Sequence, residues 1–384
     1  MKKIKVASIF GTRPEAVKMC PLILELQKHE QIISKVCLTG QHREMLNQVM
    51  ELFGIQADCN LDIMKKNQNL TQITVNILEG LGRFLDAEKP ELLLVHGDTS
   101  TSFAAALAGF YRKIPVGHVE AGLRTYNLHS PYPEEFNRQA VDLVSDLYFA
   151  PTELARKRLL EEKKNPGQIF VTGNTVIDAL KNTVTEIYSN EHLDWAEGSR
   201  LILFTSHRRE NIGEPMRHIF RAARRIVQDF PDVKLLYPLH KNPKVREIAY
   251  GILGNEERIR LIEPLDIYDF HNFMARSFLV MTDSGGIQEE APALGKPVLV
   301  MRDTTERPEG VEAGTLKLVG TQEDVVYKET EKLLKDEKSY QAMCNAVNPY
   351  GDGHASERIA EAIVQWFLGD KIVSGGNGNV LSEP

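Results

Sequence analysis

Three acidic residues lie where predicted strands or rigid turns end, which is where α/β proteins place catalytic groups. Asp98 and Glu120 follow successive apolar runs, and Glu134 lies in the proline-rich stretch 131–138. Because successive parallel strands end at one sheet edge, we expect Asp98 and Glu120 at the same edge. A single loop carboxylate is more often a helix cap or an ion-pair partner. Three that converge predict acid–base chemistry.

A turn in the second half has the features of a nucleotide site. Ser284, Gly285 and Gly286 end a predicted strand and begin a predicted helix, whose unpaired N–H groups and positive dipole end favour a phosphate. Glu290 lies on the same helix, and its carboxylate can accept hydrogen bonds from the vicinal hydroxyls of a ribose. The alternative is that Ser284 is a plain N-cap and Glu290 is solvated. Phosphate together with a diol indicates a nucleotide.

Cations lie near both predicted sites. The segment 207–211, His-Arg-Arg-Glu-Asn, follows a strand and would balance pyrophosphate charge if it faces the nucleotide; a basic surface turn is the alternative. The loop Gly11–Glu15 begins a helix, so its N–H groups could face an anion, with Arg13 and Lys18 as phosphate contacts. An ordinary strand–helix turn explains that loop equally well.

Several common cofactor sites are not expected. No G-x-G-x-x-G or G-K-[ST] spacing occurs, which disfavours a dinucleotide site and a P-loop. The 11 histidines contain no H-E-x-x-H or similar ligand set, so we expect no metal and no cofactor. His118 lies in an apolar strand and is predicted to be a satisfied interior imidazole. The four cysteines lack metal spacing and indicate buried, reduced thiols in a cytosolic protein.

Short β-branched runs alternate with amphipathic stretches, which predicts βαβ units with parallel strands. The predicted strands of the first half are Ile4–Phe10, Lys35–Thr39, Glu91–His96, Pro115–Glu120, Leu147–Ala150 and Gln168–Thr172. Those of the second half are Leu201–Ser206, Val233–Pro238, Arg260–Pro264, Phe278–Thr282, Pro297–Met301 and Leu316–Val319. We therefore predict an α/β fold with two Rossmann-like, doubly wound domains that face a central cleft and join near residues 173–175. The Gly-, Asn- and Ser-rich segment 369–384 is predicted to be a disordered tail.

Composition excludes some partners. The 384 residues carry a formal net charge of −7, which disfavours a generic nucleic-acid surface. The apolar runs are strand-sized, far below the ~20 residues that cross a bilayer, so no membrane partner is expected. Lys2 and Lys3 precede too short an apolar run for a secretory signal, which predicts a cytoplasmic protein with a small-molecule substrate.

With these motifs in place, the sequence closely resembles the non-hydrolysing UDP-N-acetylglucosamine 2-epimerases. The segments that match in order and spacing are Gly11–Glu15, His96–Thr99, Glu120–Arg124, His207–Asn211, Asp283–Glu290 and Arg302–Pro308. The resemblance covers residues 4–367 and implies the glycosyltransferase-B fold and a homodimer. It implies an N-terminal domain of residues 1–172 with a returning helix at 356–368, and a UDP-binding domain of residues 173–355.

The resemblance also implies roles for individual residues. Asp98, Glu120 and Glu134 match the acid–base carboxylates, and His207 matches a histidine needed near the diphosphate. The implied substrate contacts are Arg13 and Lys18 (phosphate or sugar), Leu265 through its backbone and Phe270 (uracil), Ser284, Gly285 and Gly286 (phosphate), Glu290 (ribose) and Arg307 (a further contact).

The implied reaction interconverts UDP-GlcNAc and UDP-ManNAc, supplying ManNAc for surface polysaccharide. A carboxylate cannot remove the C2 hydrogen directly, because no carbonyl adjoins it. Elimination of UDP to 2-acetamidoglucal, followed by re-addition, solves this; which carboxylate is base or acid stays open. The alternatives are a hydrolysing epimerase that releases ManNAc and UDP, a glycosyltransferase of the same fold, and a nucleotide-sugar-binding regulator. The three carboxylates disfavour the glycosyltransferase, which does not need them, and the intact set Asp98, Glu120, Glu134 and His207 disfavours the regulator. An assay for free ManNAc separates the hydrolysing epimerase.

One feature departs from the family pattern. Many bacterial members bind a second UDP-GlcNAc as an activator, near positions that match Gln41, Glu44, Asn67, Glu134, Arg208 and His240. Regulated members carry Gln at the position of Glu44 and Arg at the position of Asn67. The added negative charge and the missing cation weaken the attraction for an anionic nucleotide. We therefore hypothesise that substrate activation is weak or absent here.

Overall fold

The structure, a computed structural model, describes residues 3–40, 43–65 and 68–374. The chain forms two compact units. The first holds the residues up to Ala179 and those from Gly353 onward, and the second spans Leu180–Asp352. The chain passes between units after Ala179, a few residues beyond the segment 173–175 where the sequence predicts the join.

Within the described residues, the first unit contains a sheet of seven parallel strands in the spatial order β3-β2-β1-β4-β5-β6-β7. The strands are β1 (Ile4–Phe10), β2 (Ile32–Leu38), β3 (Cys59–Asn60), β4 (Leu92–His96), β5 (Val116–Val119), β6 (Leu147–Ala150) and β7 (Ile169–Val171). The sequence predicts six strands here and misses β3. That strand has two residues, with Cys59 opposite Cys37 of β2, and so short a segment carries no readable periodicity.

Helices connect these strands on both faces of the sheet. They are α1 (Arg13–Lys28), α2 (Arg43–Leu52), α3 (Leu70–Glu88), α4 (Ser100–Tyr111), α5 (Glu134–Val144) and α6 (Glu153–Glu161). The next helix, α7 (Thr175–Thr183), follows β7, and the chain passes from the first unit to the second within it. A short 3₁₀ helix at Pro166–Gln168 precedes β7. Parallel strands covered on both faces are apolar throughout, and β4 shows this because Leu92, Leu93, Leu94 and Val95 are all fully buried.

The second unit, described throughout, has six parallel strands in the order β10-β9-β8-β11-β12-β13. The strands are β8 (Arg200–Thr205), β9 (Val233–Pro238), β10 (Ile259–Ile262), β11 (Leu279–Thr282), β12 (Val298–Val300) and β13 (Leu316–Leu318). The helices are α8 (Glu191–Ala196), α9 (Glu214–Asp229), α10 (Pro243–Leu253), α11 (Ile267–Arg276), α12 (Ile287–Ala293), α13 (Pro308–Glu312), α14 (Glu323–Lys335) and α15 (Glu337–Cys344). A 3₁₀ helix at Arg209–Asn211 follows β8.

The final helix, α16 (Ala355–Ser374), belongs to the first unit. Its start is fixed there because the carboxylate of Asp178 accepts hydrogen bonds from the N–H groups of Ala355 (3.2 Å) and Ser356 (2.7 Å). The helix continues past residue 369, where the sequence predicts the tail to begin, and residues 375–384 lie outside the described residues. Among the helices of the described ranges, none has the length and apolar content to cross a membrane.

Each sheet has a point where the strand order reverses, between β1 and β4 in the first and between β8 and β11 in the second. In open α/β sheets, ligands bind beyond the strand ends at such points. The loops that begin there are Gly11–Thr12, Gly97–Thr99, Ser206–Arg208 and Asp283–Gly286. The two sheets therefore each present one candidate ligand site.

Candidate active site

Asp98 lies in the turn between β4 and α4, where two groups of α5 hold it. Arg138 forms an ion pair with its carboxylate, in which Nε donates to Oδ2 at 3.1 Å. Asn137 donates from its side chain to the Asp98 carbonyl at 2.8 Å. Both the carboxylate and the backbone of Asp98 are therefore fixed by one helix.

Glu120 directly follows β5 and has a left-handed backbone conformation, with φ of 67°. Its side chain is almost fully buried and forms an ion pair with Lys18 of α1. Asn174 donates to Glu120 Oε2 at 2.7 Å, and His96 Nε2 lies 3.6 Å from the same oxygen. β4 and β5 are adjacent, with His96 opposite Val119, so Asp98 and Glu120 lie at neighbouring strand ends as the sequence predicts.

Glu134 is the first residue of α5 and is half-buried. Asn137 and Arg138, which hold Asp98, lie one turn further along the same helix. The structure therefore places all three predicted carboxylates on elements that contact one another: Asp98 and Glu120 at adjacent strand ends, and Glu134 on the helix that holds Asp98.

The loop Gly11–Thr12 differs from the sequence-based expectation that its N–H groups face an anion. The buried carboxylate of Glu15 accepts hydrogen bonds from the N–H groups of Gly11 (3.0 Å) and Thr12 (2.7 Å). It also accepts from the hydroxyls of Thr99 (2.6 Å) and Ser102 (3.1 Å). The protein supplies the anion itself, so this loop is not a phosphate loop. Gly11 is required here because a Cβ would lie 1.9 Å from Thr39 Oγ1.

Arg13 and Lys18 remain beside that loop on α1. Arg13 is the first residue of the helix and is half-buried, and Lys18 faces Glu120. Lys18 thus lies against the Glu120 carboxylate, although the backbone N–H groups of the loop are bonded to Glu15.

In the second unit, Ser284, Gly285 and Gly286 form the turn between β11 and α12. Gly286, not Ser284, is the N-cap of α12, and the Ser284 N–H is bonded to Thr282 Oγ1 at 2.9 Å. Ser284 is therefore not the plain N-cap of the alternative interpretation. The guanidinium of Arg208 lies against this turn, with Nη2 3.4 Å from where a Gly285 Cβ would be.

Asp283 fixes the segment after β8 to this turn. Its fully buried carboxylate accepts hydrogen bonds from the backbone N–H groups of His207 (2.9 Å) and Arg208 (3.0 Å). It also accepts from the side chains of Ser206 (3.0 Å) and Asn211 (3.1 Å). The two loops at the switch point of the second sheet form one hydrogen-bonded unit.

His207 stacks on His240, with ring centroids 5.4 Å apart and planes 14° from parallel. Burial lowers the pKa of His207 below its ordinary value, and His240 and Arg208 lower it further, against the attraction of Asp283. The lowered pKa favours the neutral ring, which can donate one N–H hydrogen bond.

Glu290 lies on α12 and faces the glycine turn, since its Oε1 is 3.6 Å from where a Gly286 Cβ would be. Its other oxygen lies 3.6 Å from Nε2 of the fully buried His271. Leu265 and Phe270 are partly buried at the start of α11 and pack against the apolar core of this unit.

Arg307, the N-cap of α13, is held in an ion pair with the buried Glu289. The predicted activator residues are only partly described. Gln41 and Asn67 lie outside the described residues, Glu44 lies on α2, and Arg208 and His240 lie at the second-unit site given above.

Sequence reasoning missed the partners that orient the predicted residues. Glu15 had a readable signal, because Thr12 and Glu15 have the spacing of a capping box, which the structure forms. Arg138, Asn174 and Asp283 had none, since each acts through a contact that is distant in sequence. Among the described residues, no group of three or more His, Cys, Asp or Glu side chains is arranged to hold a metal ion.

Comparison with known proteins identifies close relatives. A family model described as UDP-N-acetylglucosamine 2-epimerase matches residues 24–364. A UDP-N-acetylglucosamine 2-epimerase of Bacillus subtilis is 57% identical over 364 residues, or 95% of this chain and 96% of the relative. The crystal structure of a candidate UDP-N-acetylglucosamine 2-epimerase from Listeria monocytogenes has a TM-score of 0.92 and 56% identity, covering 96% of this chain and 97% of that one. The UDP-GlcNAc 2-epimerase of Neisseria meningitidis, crystallised with UDP-GlcNAc bound, has a TM-score of 0.86 and 49% identity, covering 94% of this chain and 100% of that one.

Proposed function

The chain belongs to the UDP-N-acetylglucosamine 2-epimerase family, and from that membership we propose its reaction: reversible epimerisation of UDP-GlcNAc to UDP-ManNAc at C2. The fold is α/β with two Rossmann-like units of the glycosyltransferase-B type. The observation that carries the proposal is that Asp98 and Glu120 lie at adjacent strand ends of one sheet, each in an ion pair with a basic side chain. That edge is where such a sheet binds a substrate.

The chemistry follows from what C2 inversion requires. The C2 hydrogen is not acidic in the resting substrate, because no carbonyl adjoins it. As the C1–O bond to the diphosphate breaks, positive charge develops at C1 and acidifies that hydrogen, which passes to a carboxylate. This elimination yields 2-acetamidoglucal and UDP. Re-addition delivers a proton to the opposite face of C2 and re-forms the C1–O bond, so that no atom is gained or lost.

We assign the proton transfers to Asp98, Glu120 and Glu134 of the first unit, acting as base and acid on the two faces of the sugar. The ion pairs with Arg138 and Lys18 hold Asp98 and Glu120 in fixed orientations, which is what efficient proton transfer needs. Lys18, with Arg13, is assigned to contacts with the sugar or phosphate.

We assign UDP binding to the second unit. The turn Ser284–Gly286 contacts the diphosphate, and Glu290 accepts hydrogen bonds from the ribose hydroxyls. The Leu265 backbone and Phe270 hold the uracil, and Arg307 makes a further substrate contact. His207 is assigned to donate a hydrogen bond to the departing diphosphate.

The decisive experiment is NMR of UDP-GlcNAc with the protein in D₂O. We expect UDP-ManNAc to appear and deuterium to enter C2 of both sugars, also in the presence of EDTA, because no proposed step uses a metal. Release of free ManNAc and UDP would instead identify a hydrolysing epimerase. Substrate loss only with an added acceptor would identify a glycosyltransferase. An unchanged spectrum would identify a binding protein.

The setting of this reaction is also part of the proposal. We propose that the enzyme works in the cytoplasm as a homodimer and supplies ManNAc units for surface polysaccharide. An exposed apolar surface on α3 and α5 supports self-association.

A further inference from the structure

We propose that His118 is a positioning residue for the three carboxylates: a doubly protonated imidazolium that fixes the peptide leading into Asp98. The inference rests on the proposed function for its catalytic consequence, but the charge of the ring can be tested without any turnover. Nothing in the elimination chemistry itself uses His118, which lies on β5 and is fully buried.

Both ring nitrogens of His118 face oxygen atoms that can only accept. Nδ1 lies 2.6 Å from Oδ1 of Asp142, and Nε2 lies 2.8 Å from the carbonyl oxygen of Gly97. A neutral imidazole carries a proton on only one nitrogen, so its lone pair would point at one of these oxygens. With Asp142 ionised, only the imidazolium donates to both oxygens.

The surrounding charges balance a cation at His118. Burial would raise the pKa of Asp142, but the charges beside it lower it. The Arg124 guanidinium and the Gly122 N–H both donate to Asp142 Oδ2, which favours the anionic carboxylate independently of His118. Arg124 donates to Asp142 Oδ2 at 2.7 Å and also pairs with Glu162 at 2.7 Å. The anions Asp142 and Glu162 thus face the cations His118 and Arg124. Buried charges are tolerated when they are paired with opposite charges in this way.

Two further groups face the Asp142 backbone. Lys164 donates to its carbonyl at 2.6 Å, and the hydroxyl of Tyr148 donates to it at 3.1 Å. Neither group hydrogen-bonds the imidazole, whose two ring nitrogens face Asp142 and the Gly97 carbonyl. The charge of His118 is therefore set by these two groups, with Arg124 and Glu162 beyond them.

The contact with Gly97 acts directly on Asp98. The Gly97 carbonyl belongs to the peptide that enters Asp98, and the Asp98 carbonyl, in the peptide that leaves it, accepts from Asn137 at 2.8 Å. His118 and Asn137 therefore fix the two peptides on either side of the Asp98 Cα. Gly97 has a φ of 61°, so without this hydrogen bond the glycine has other conformations available.

The contact with Asp142 connects the other two carboxylates. Asp142 lies on α5, which begins at Glu134, and its Oδ2 also accepts the N–H of Gly122, two residues after Glu120. One His–Asp pair thus links the turn of Asp98, the turn of Glu120 and the helix of Glu134. Loss of the imidazole would loosen all three, most directly Asp98 through the Gly97 contact, and a misplacement of about 1 Å costs about 100-fold in rate.

The charge is tested in the wild-type protein with ¹⁵N-labelled histidine rings. The His118 signal is the one absent from the His118→Gln spectrum. We expect both of its ring nitrogens to carry protons at pH 7. An unprotonated ring nitrogen of His118 at pH 7 would overturn the proposal. This result does not depend on whether the protein is an epimerase.

The positioning role is tested with two variants that each keep one contact. His118→Asn keeps a donor near Asp142 and loses the Gly97 contact, whereas His118→Gln keeps a donor near Gly97 and loses the Asp142 contact. We expect kcat to fall about 100-fold for His118→Asn, by clearly less for His118→Gln, with KM unchanged in both. His354→Gln, at an exposed histidine, is the matched control.

If kcat falls equally in the two variants and in proportion to their loss of thermal stability, His118 has a merely structural role. That result would contradict the positioning proposal. If neither variant folds, the His118 ring signals are assigned in the wild type through nuclear Overhauser contacts with Tyr148, its cross-strand neighbour, and the measurement still decides the charge. An inactive wild type with a doubly protonated His118 would refute the proposed function but leave the assignment of the imidazolium intact.

Discussion

At the residue scale, the proposed chemistry makes Asp98 the most informative position. Asp98→Asn keeps the shape and the hydrogen bond to Arg138 but removes the group that accepts a proton. We expect kcat to fall by about 10²–10⁴-fold, because that is the typical contribution of a general acid or base. The affinity for UDP, measured by calorimetry, should be nearly unchanged, since the residues assigned to UDP belong to the other unit.

Asp86→Asn is the control for that variant, because Asp86 is an exposed carboxylate that pairs with Arg112 on the surface of the same unit. Near-normal turnover by Asp98→Asn would remove Asp98 from the mechanism. A loss shared by Asp86→Asn would instead point to a general effect of charge.

Residue types and spacing predicted where the carboxylates Asp98 and Glu120 lie, but not which residues hold them. Asp98 and Glu120 could be placed at one edge because strand order follows from sequence alternation. The pairing of Asp98 with Arg138 could not, because a side-chain contact across 40 positions leaves no local pattern. In the Gly11–Thr12 loop, a local pattern was present but was not used. The spacing of Thr12 and Glu15 is that of a capping box, yet binding of the loop's N–H groups by Glu15 was not predicted from the sequence.

At the element scale, the loop between β12 and α13 is held by a charged pair that titrates at low pH. Arg302 donates to both carboxylate oxygens of Glu306, at 2.8 and 3.2 Å. Burial opposes ionisation, yet the Arg302 contacts dominate and lower the pKa of Glu306 to about 2 from 4.5. Because the folded-state pKa is depressed, this stabilisation is fully present above pH 4.5 and is lost as pH falls towards 2.

We expect Glu306→Gln to lower the free energy of unfolding at pH 7 and to lower it less, or not at all, near pH 2. The measurement is urea unfolding at both pH values. The effect at pH 7 is small, of order 1 kcal/mol, because the Glu306 side chain is about a third exposed (36%) and solvent screens the pair. Glu263→Gln, which breaks the surface pair with Arg246, is the matched control. A destabilisation by Glu306→Gln that is the same at both pH values would contradict the titration.

The elements themselves were largely predictable. Every predicted strand overlaps an observed one, because near-continuous apolar runs of four to seven residues are typical of parallel strands buried on both faces. The boundaries were less accurate. β2 begins at Ile32 although the prediction begins at Lys35, because the polar residue Ser34 separates Ile32 and Ile33 from the apolar residues at the end of the strand. β3 was missed because two residues cannot show a period.

At the scale of the whole molecule, the departure from the family pattern at two positions predicts simple kinetics. Glu44 and Asn67 replace the Gln and Arg that the resemblance associates with activation by a second UDP-GlcNAc. We expect hyperbolic dependence of the rate on UDP-GlcNAc. The double variant Glu44→Gln with Asn67→Arg restores a cation and removes an anion, so it should introduce sigmoidicity. Strong sigmoidicity in the wild type would refute the hypothesis.

Self-association is the other property of the whole molecule that the surface predicts. Leu70 and Val75 of α3 and Phe136 of α5 are each more than 40% exposed, and they line a shared cavity of about 330 Å³ together with Tyr132. Apolar area removed from water contributes about 25 cal/mol per Å², so burial of this surface by a second copy would stabilise a dimer.

We expect sedimentation equilibrium to give a dimer for the wild type and a monomer for Phe136→Arg. Ile187→Arg, at an almost fully exposed position of the second unit, should remain dimeric. A wild type that is monomeric, or a Phe136→Arg variant that is still dimeric, would remove this surface from the proposal.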